Sequence, residues 1–150
     1  MYRRIARKSF FTTLFLTQNN HHRYSVLGHT CKLAWLVLKN RRYDFLAAAL
    51  LHDVGKPLVA YQDEKDKTTG EYSFTNHEEI SYHAIKHWPL ISQPTKSLVR
   101  YHYAIRGVQK AKEKGQMGKY KRIKRQWERL APTQQQRIKE FMDYDDLAKR

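Results

Sequence analysis

Between about Asp44 and Val54 the chain reads Phe45-Leu46-Ala47-Ala48-Ala49-Leu50-Leu51, apolar on nearly every side of a helix. A helix with no polar face must be enclosed by its neighbours, so this stretch predicts a central buried helix. Gly55 and Pro57 follow it with the residues that end helices. The surrounding sequence supplies the enclosing elements. From Ser25 to about Asn40, Val26, His29, Leu33, Leu36 and Val37 recur at helical spacing. Asn76 and Glu79 predict a capping box opening a helix with Ile80, Ala84, His87 and Trp88, stopped by Pro89. Pro94 starts a helix carrying Leu98, Val99, His102 and Ile105, with Gly107 at its end. Thr133 and Gln136 predict a further capping box, followed by Ile138, Phe141, Met142, Asp145 and Ala148 on one face. Leu58–Thr75 is polar and mixed in charge, which predicts a mobile loop. Alternating Val and Ile are nearly absent, so the expected fold class is all-α.

The 150 residues suit one domain, 1–150, with a core over about 21–108, a closing helix over about 133–149 and a basic segment over 106–129. With 41% hydrophobic and 13% aromatic residues the composition excludes a disordered chain. Cys31 is the single cysteine, which excludes an internal disulfide and a thiolate zinc cluster and predicts a reducing compartment. Basic Met1–Lys8 followed by Phe10, Phe11 and Leu14–Leu16 is a poor secretory signal, broken by Thr12 and Thr13 and lacking a small-residue cleavage site. No apolar run approaches the roughly 18 residues of a membrane span. A soluble, cytoplasmic protein with no membrane partner is expected.

The informative anomaly is polar residues on apolar stripes. His29 lies with Val26, Leu33 and Val37; His52 and Asp53 follow Phe45, Ala48 and Ala49; His102 lies with Leu98 and Ile105; Asp145 lies with Ile138, Phe141 and Met142. A single histidine in such a place is ordinarily a hydrogen-bonded core residue. Buried aspartates resist that account, because each needs a cation or donor. No Lys or Arg lies on these stripes. A shared divalent cation satisfies all of them, and mixed imidazole and carboxylate donors suit Mn, Fe, Co or Ni, with Mg and Zn also compatible.

Leu50-Leu51-His52-Asp53-Val54-Gly55-Lys56-Pro57, preceded by His29-Thr30, resembles the HD-domain metal-dependent phosphohydrolase superfamily. The stretch from Tyr24 to about His102 is most similar to the HD module of tRNA nucleotidyltransferases and small nucleotide hydrolases. The resemblance implies an HD-type helical bundle with a metal site in its core. It further implies that His29, His52 and Asp53 are metal ligands, joined by an aspartate from a late helix. Asp145 shares the apolar face and is the choice there, with Asp146 as the alternative. It also implies a second ion held by Asp53, His77 and His102, although His77 reads equally well as an exposed helix-start residue. Lys56 is implied as a contact to substrate phosphate, with Arg23 and Arg106 as weaker candidates and simple solvation as the alternative for Lys56. His83 and His87 lack the glutamate of a zinc-protease helix and are read as packing or surface residues.

One or two such ions would activate water for attack on phosphorus and neutralise the phosphoryl oxygens, with Asp53 orienting the water and no serine or cysteine nucleophile needed. The expected activity is hydrolysis of a phosphate ester or anhydride of a nucleotide. The charge bears on the alternative. A net +15 favours polyanionic partners. Lys110, Lys112, Lys114, Lys119, Lys121, Arg122, Lys124 and Arg125 crowd one segment with Tyr120 and Trp127 between them, and Gly115 and Gly118 suggest a hinge. Lys119, Lys121, Arg122 and Lys124 are the candidate RNA or DNA contacts, against the ordinary fate of a charge run as a solvated face. A metal-dependent nuclease or end-processing phosphatase on RNA or DNA, and an inactive HD module that binds nucleic acid, are therefore the competing expectations.

Overall fold

The computed structural model describes Phe15, Gln18 and residues 24–150, the side chain of Lys65 excepted. Arg23, and with it His21 and His22, lies outside the described residues. Ser25 caps helix α1, Val26–Lys39, by accepting the Gly28 N–H at 3.1 Å. A left-handed residue, Arg41, turns the chain into a 3-10 turn, Tyr43–Phe45, and α2, Leu46–Leu51. Short helices α3, Lys56–Val59, and α4, Glu64–Thr69, follow. Then come α5, His77–Ile85; α6, Gln93–Tyr101; α7, Ala104–Glu113; α8, Met117–Glu128; and α9, Pro132–Ala148. Apart from the bridge between Tyr61 and Ser73 and a bridge residue at Ser25, the described residues are helix and connection, as an all-α fold requires. None of their helices is long and apolar enough to cross a membrane.

α1 packs on α2 and α9, α6 on α2, α5 and α9, and α3 on α5, while α7 and α8 pair as a hairpin. Leu33, Val37, Phe45, Ala48, Ala49, Ile85, Leu98, Val99, Ile138 and Phe141 form the shared core. The Phe45 and Phe141 rings meet edge to face at 5.7 Å, and Phe141 also meets the His52 ring at 5.9 Å. The apolar core is thus the floor of the polar cluster. Burying one such phenyl group contributes about 1.5–3 kcal/mol.

Several boundaries differ from the sequence pattern, each for a local reason. The central helix stops at Leu51 rather than Val54, residues 52–55 form a turn, and Leu50 is half exposed. Gly55 is therefore no helix terminator. A Cβ there would lie 2.6 Å from the Ser81 N and 2.7 Å from the His77 O, so its role is close approach to α5. The helix from Pro94 likewise breaks at His102, and Gly107 sits inside α7 beneath Ile123 of α8. Asn76 adopts a left-handed backbone and makes no side-chain cap, while Glu79 pairs with Arg100 at 3.1 Å. The buried face of α5 is His77, Ser81 and Ile85; Ala84, His87 and Trp88 are exposed. α9 begins earlier than Thr133, with Pro132 in its first turn and the Gln134 side chain accepting the Ala131 N–H at 3.1 Å. The segment read as a loop contains α4, capped by Asp63 and ended by left-handed Gly70, and is closed at its base by the Tyr61–Ser73 bridge.

Candidate metal centre

The breaks at residues 52 and 102 place two histidines at helix C-termini. There a ring can reach back to a carbonyl that the helix has left free. His52 Nδ1–H donates to Ala49 O at 2.9 Å and His102 Nδ1–H to Val99 O at 2.7 Å. At the start of α5, His77 Nδ1–H donates to Phe74 O at 2.8 Å. A carbonyl only accepts, so each Nδ1 carries the proton and each Nε2 of the neutral ring presents a lone pair. All three Nε2 atoms point to one place.

That place holds Asp53. Its Oδ2 lies 3.1 Å from His52 Nε2 and 3.8 Å from His29 Nε2; its Oδ1 lies 3.4 Å from His77 Nε2 and 3.8 Å from His102 Nε2. Asp145 completes the first side, with Oδ1 at 2.9 Å from His29 Nε2 and 3.6 Å from His52 Nε2. His29, His52, Asp53, His77, His102 and Asp145 are all buried. Two triads capable of holding an ion result, His29/His52/Asp53 and Asp53/His77/His102, joined through one carboxylate. Asp146 is half exposed and turned to Arg106 and Lys149, so of the two late aspartates Asp145 is the one that meets the cluster.

The electrostatics differ between the triads. Burial disfavours a charge on His52, but the Asp53 and Asp145 carboxylates outweigh it and raise its pKa. Burial likewise works against Asp53 and Asp145, yet His52 and Lys56 hold the first, and His29, His52 and Lys149 the second, well below the ordinary carboxylate range. On the other side burial lowers His77, and burial together with the nearby His52 and His77 pushes His102 down to about 3. Both rings are thus neutral near pH 7. Their Nε2 lone pairs face each other at 3.3 Å, beside an Asp53 Oδ1 that accepts no hydrogen bond from a described residue. Three converging lone-pair atoms repel one another unless a cation lies among them. The donor set fits a divalent ion.

The buried aspartates do have basic partners, brought from positions off the apolar stripes. Lys56 Nζ lies 2.7 Å from Asp53 Oδ2 and also donates to the Gln18 side chain. Arg106 lies 2.9 Å, and Lys149 3.0 Å, from Asp145 Oδ2. Lys56 is therefore buried and paired, and its first task is holding Asp53 in place. The sequence pattern singles out neither Lys149 nor Gln18. The i, i+4 spacing of Asp145 and Lys149 was a readable signal for the former; Gln18 carried none. His83 and His87 are exposed, away from the cluster.

A cavity of about 530 Å³ opens onto the cluster, within the range of ligand pockets of about 300–1,000 Å³. Asp53, His77, His102 and Asp145 line it, together with Tyr61, Phe74, Tyr101 and Tyr103. Lys119 and Arg122 of the basic segment line it; Lys121 and Lys124 do not. Residues 19–146 match the family model of the HD domain. The chain belongs to that family. It is a member of the HD metal-dependent phosphohydrolase superfamily, whose domains bind divalent metals and are mostly hydrolases. The His52-Asp53 pair opens the HD turn, and its Asp53 is the carboxylate both triads share. Comparison with curated proteins and with solved structures returns no match.

Proposed function

We propose that this HD domain is an enzyme that hydrolyses a phosphate ester or anhydride of a nucleotide, using water activated by one or two divalent ions, with Mn, Fe, Co or Ni favoured by the donors. The observation that carries the proposal is the Asp53/His77/His102 convergence, where neutral imidazole nitrogens and a carboxylate oxygen meet without a proton to share. His29, His52, Asp53 and Asp145 would hold one ion and Asp53, His77 and His102 a second. When bound, such ions supply Lewis acidity that activates water and neutralises phosphoryl charge.

The chain's own residues do the rest. Asp53, fixed by Lys56, keeps a carboxylate where an attacking water would be oriented. Lys56 and Arg106 line the cavity and would meet a phosphate entering it, each from its ion pair with an aspartate. The carbonyl-anchored rings keep their donor atoms aimed without help from ligand. The domain is proposed to act as one unit in the cytoplasm. The test is elemental analysis of purified protein together with a panel of nucleoside mono-, di- and triphosphates, cyclic nucleotides and oligonucleotides, in Mn²⁺ and in chelator. Metal uptake with Mn²⁺-dependent phosphate release, both lost in His52→Ala and Asp53→Ala, is expected. Metal-free protein that turns over, or loaded protein inert on every substrate, overturns the proposal.

A further inference from the structure

The cations around the cavity fall into two groups. Lys56, Arg100, Arg106 and Lys149 are each committed to an acid, namely Asp53, Glu79, Asp145 with Asp146, and the same two aspartates again. Lys110, Lys114, Lys119 and Arg122 line the same cavity from the α7–α8 hairpin, and none forms an ion pair with a described residue. Lys110 on α7 and Lys114, just past its end, are one turn apart; Lys119 and Arg122 are one turn apart on α8. The turn between them is made by Gly115, whose backbone is left-handed. Gly107 lets the two helices close, with Ile123 Cδ1 only 3.3 Å from where a Cβ would stand. Packing thus holds four like charges on one wall at the cost of their mutual repulsion, and no acid on the hairpin relieves it from within the cavity.

Such a wall is built for an anion larger than the one phosphate the metal centre needs. We infer that the nucleotide processed at the centre is a unit of a single-stranded nucleic acid, and that Lys110, Lys114, Lys119 and Arg122 bind the phosphates flanking the scissile one. This rests on the proposed function and names its substrate class. Three features favour a strand over a free nucleotide. The cations are spread over two helices rather than focused on one point. Tyr101 and Tyr103 are among the residues lining the cavity, and aromatic side chains are the kind on which bases stack. Beyond the cavity lining, exposed Arg125 stands one turn past Arg122 on α8 and extends the row of cations where only a longer ligand would meet it. In the reaction one water oxygen forms a bond to phosphorus as the bond to one nucleoside oxygen breaks. The water's proton balances the proton taken up by the departing alkoxide, leaving a phosphomonoester end and a hydroxyl end.

The test uses the full chain and a fluorescently labelled single strand of about 12 nucleotides, a length within the usual site sizes. Binding is measured by anisotropy in chelator across salt, so that it reads the wall alone. Mn²⁺ uptake is measured separately and reads the metal centre. Four phosphate contacts on a single strand give a slope of about −2.8 in log K against log salt, or about 50-fold weaker binding between 50 and 200 mM. Lys110→Gln, Lys114→Gln, Lys119→Gln and Arg122→Gln combined should flatten most of that slope with Mn²⁺ uptake intact. Arginine at the three lysine positions should retain the slope, and Lys39→Gln with Lys139→Gln, away from the cavity, should leave it unchanged. An unchanged slope in the combined variant overturns the wall, whatever the metal does. A nucleoside triphosphate that binds as tightly as the strand, and loses as much in the variant, overturns the strand in favour of a polyphosphate. Failure to take up Mn²⁺ would instead remove the phosphohydrolase reading, with the wall still judged by its slope.

Discussion

Gly55→Ala separates two accounts of the same glycine by sign. Its backbone, φ −80° and ψ −18°, is one that alanine adopts without strain. If Gly55 served only to end a helix, alanine would be neutral or would stabilise by about 0.4–1 kcal/mol through the unfolded chain. The packing predicts the reverse. A Cβ would stand 2.6 Å from Ser81 N, 2.7 Å from His77 O and 2.9 Å from Ser81 Oγ, two of them backbone atoms of α5. Relief requires moving α5 off the HD turn, which also breaks the buried Gly55 N–H bond to Ser81 Oγ at 2.9 Å. Overpacking costs about 1–3 kcal/mol and the lost bond about another 1 kcal/mol, so a loss of about 2–4 kcal/mol is expected. That is about 5–15 °C in Tm for a chain of this size. Because α5 carries His77, Mn²⁺ uptake should fall as well. Urea unfolding with Mn²⁺ titration on the same protein decides it: a Gly55→Ala variant as stable as the parent refutes the close-approach account.

Other outcomes follow from the same geometry. Mn²⁺ at about 100-fold over its Kd should raise the unfolding free energy by about 2.7 kcal/mol, and a thermal shift of equal size in His52→Ala or Asp53→Ala would mean that the ion binds elsewhere. In metal-free protein, His102 favours the neutral ring, so its contribution is present above the unfolded value near 6.5 and is lost as pH falls. Its shift to about 3 corresponds to about 2 kcal/mol between pH 7 and pH 5. His52, whose pKa is raised, runs the opposite way, so the readout is the difference in slope between the parent and His102→Ala; equal slopes defeat the assignment. Below about pH 4 the lowered carboxyls of Asp53 and Asp145 add a steeper loss, since their stabilisation exists only above the unfolded value and disappears as pH drops through the folded one. Arg106→Ala leaves Asp145 with Lys149 as its basic partner and should cost about 1–2 kcal/mol, less than an unpaired buried charge; Arg106→Lys should recover part of it.

The sequence was most legible where one stripe carried both kinds of information. His29 and Asp145 sit among Leu33, Val37, Phe141 and Ile138, and periodicity alone placed them inside. The HD dipeptide carried the family resemblance, and that resemblance implied His77 and His102 beside Asp53, although His77 read equally well as an exposed helix-start residue. What could not be read was where helices stop. His52 and His102 end their helices because the ring competes for the carbonyl three residues back, and no breaker residue announces it. Gly55 and Gly107, which look like breakers, are packing contacts, the first with α5 and the second with α8. The basic partners were hidden for a related reason. Lys56 is one turn from Asp53 but on a separate short helix, and Arg106 reaches Asp145 only after α7 and α9 have come together.

The anchoring of His52, His77 and His102 to main-chain oxygens has a consequence for how such a pocket tolerates change. Aim is set by the peptide skeleton, so neighbouring side chains can be exchanged without turning the rings. Little rearrangement is left to be done when a guest arrives, and drift in the lining can retune what is admitted while the gripping atoms stay where they are.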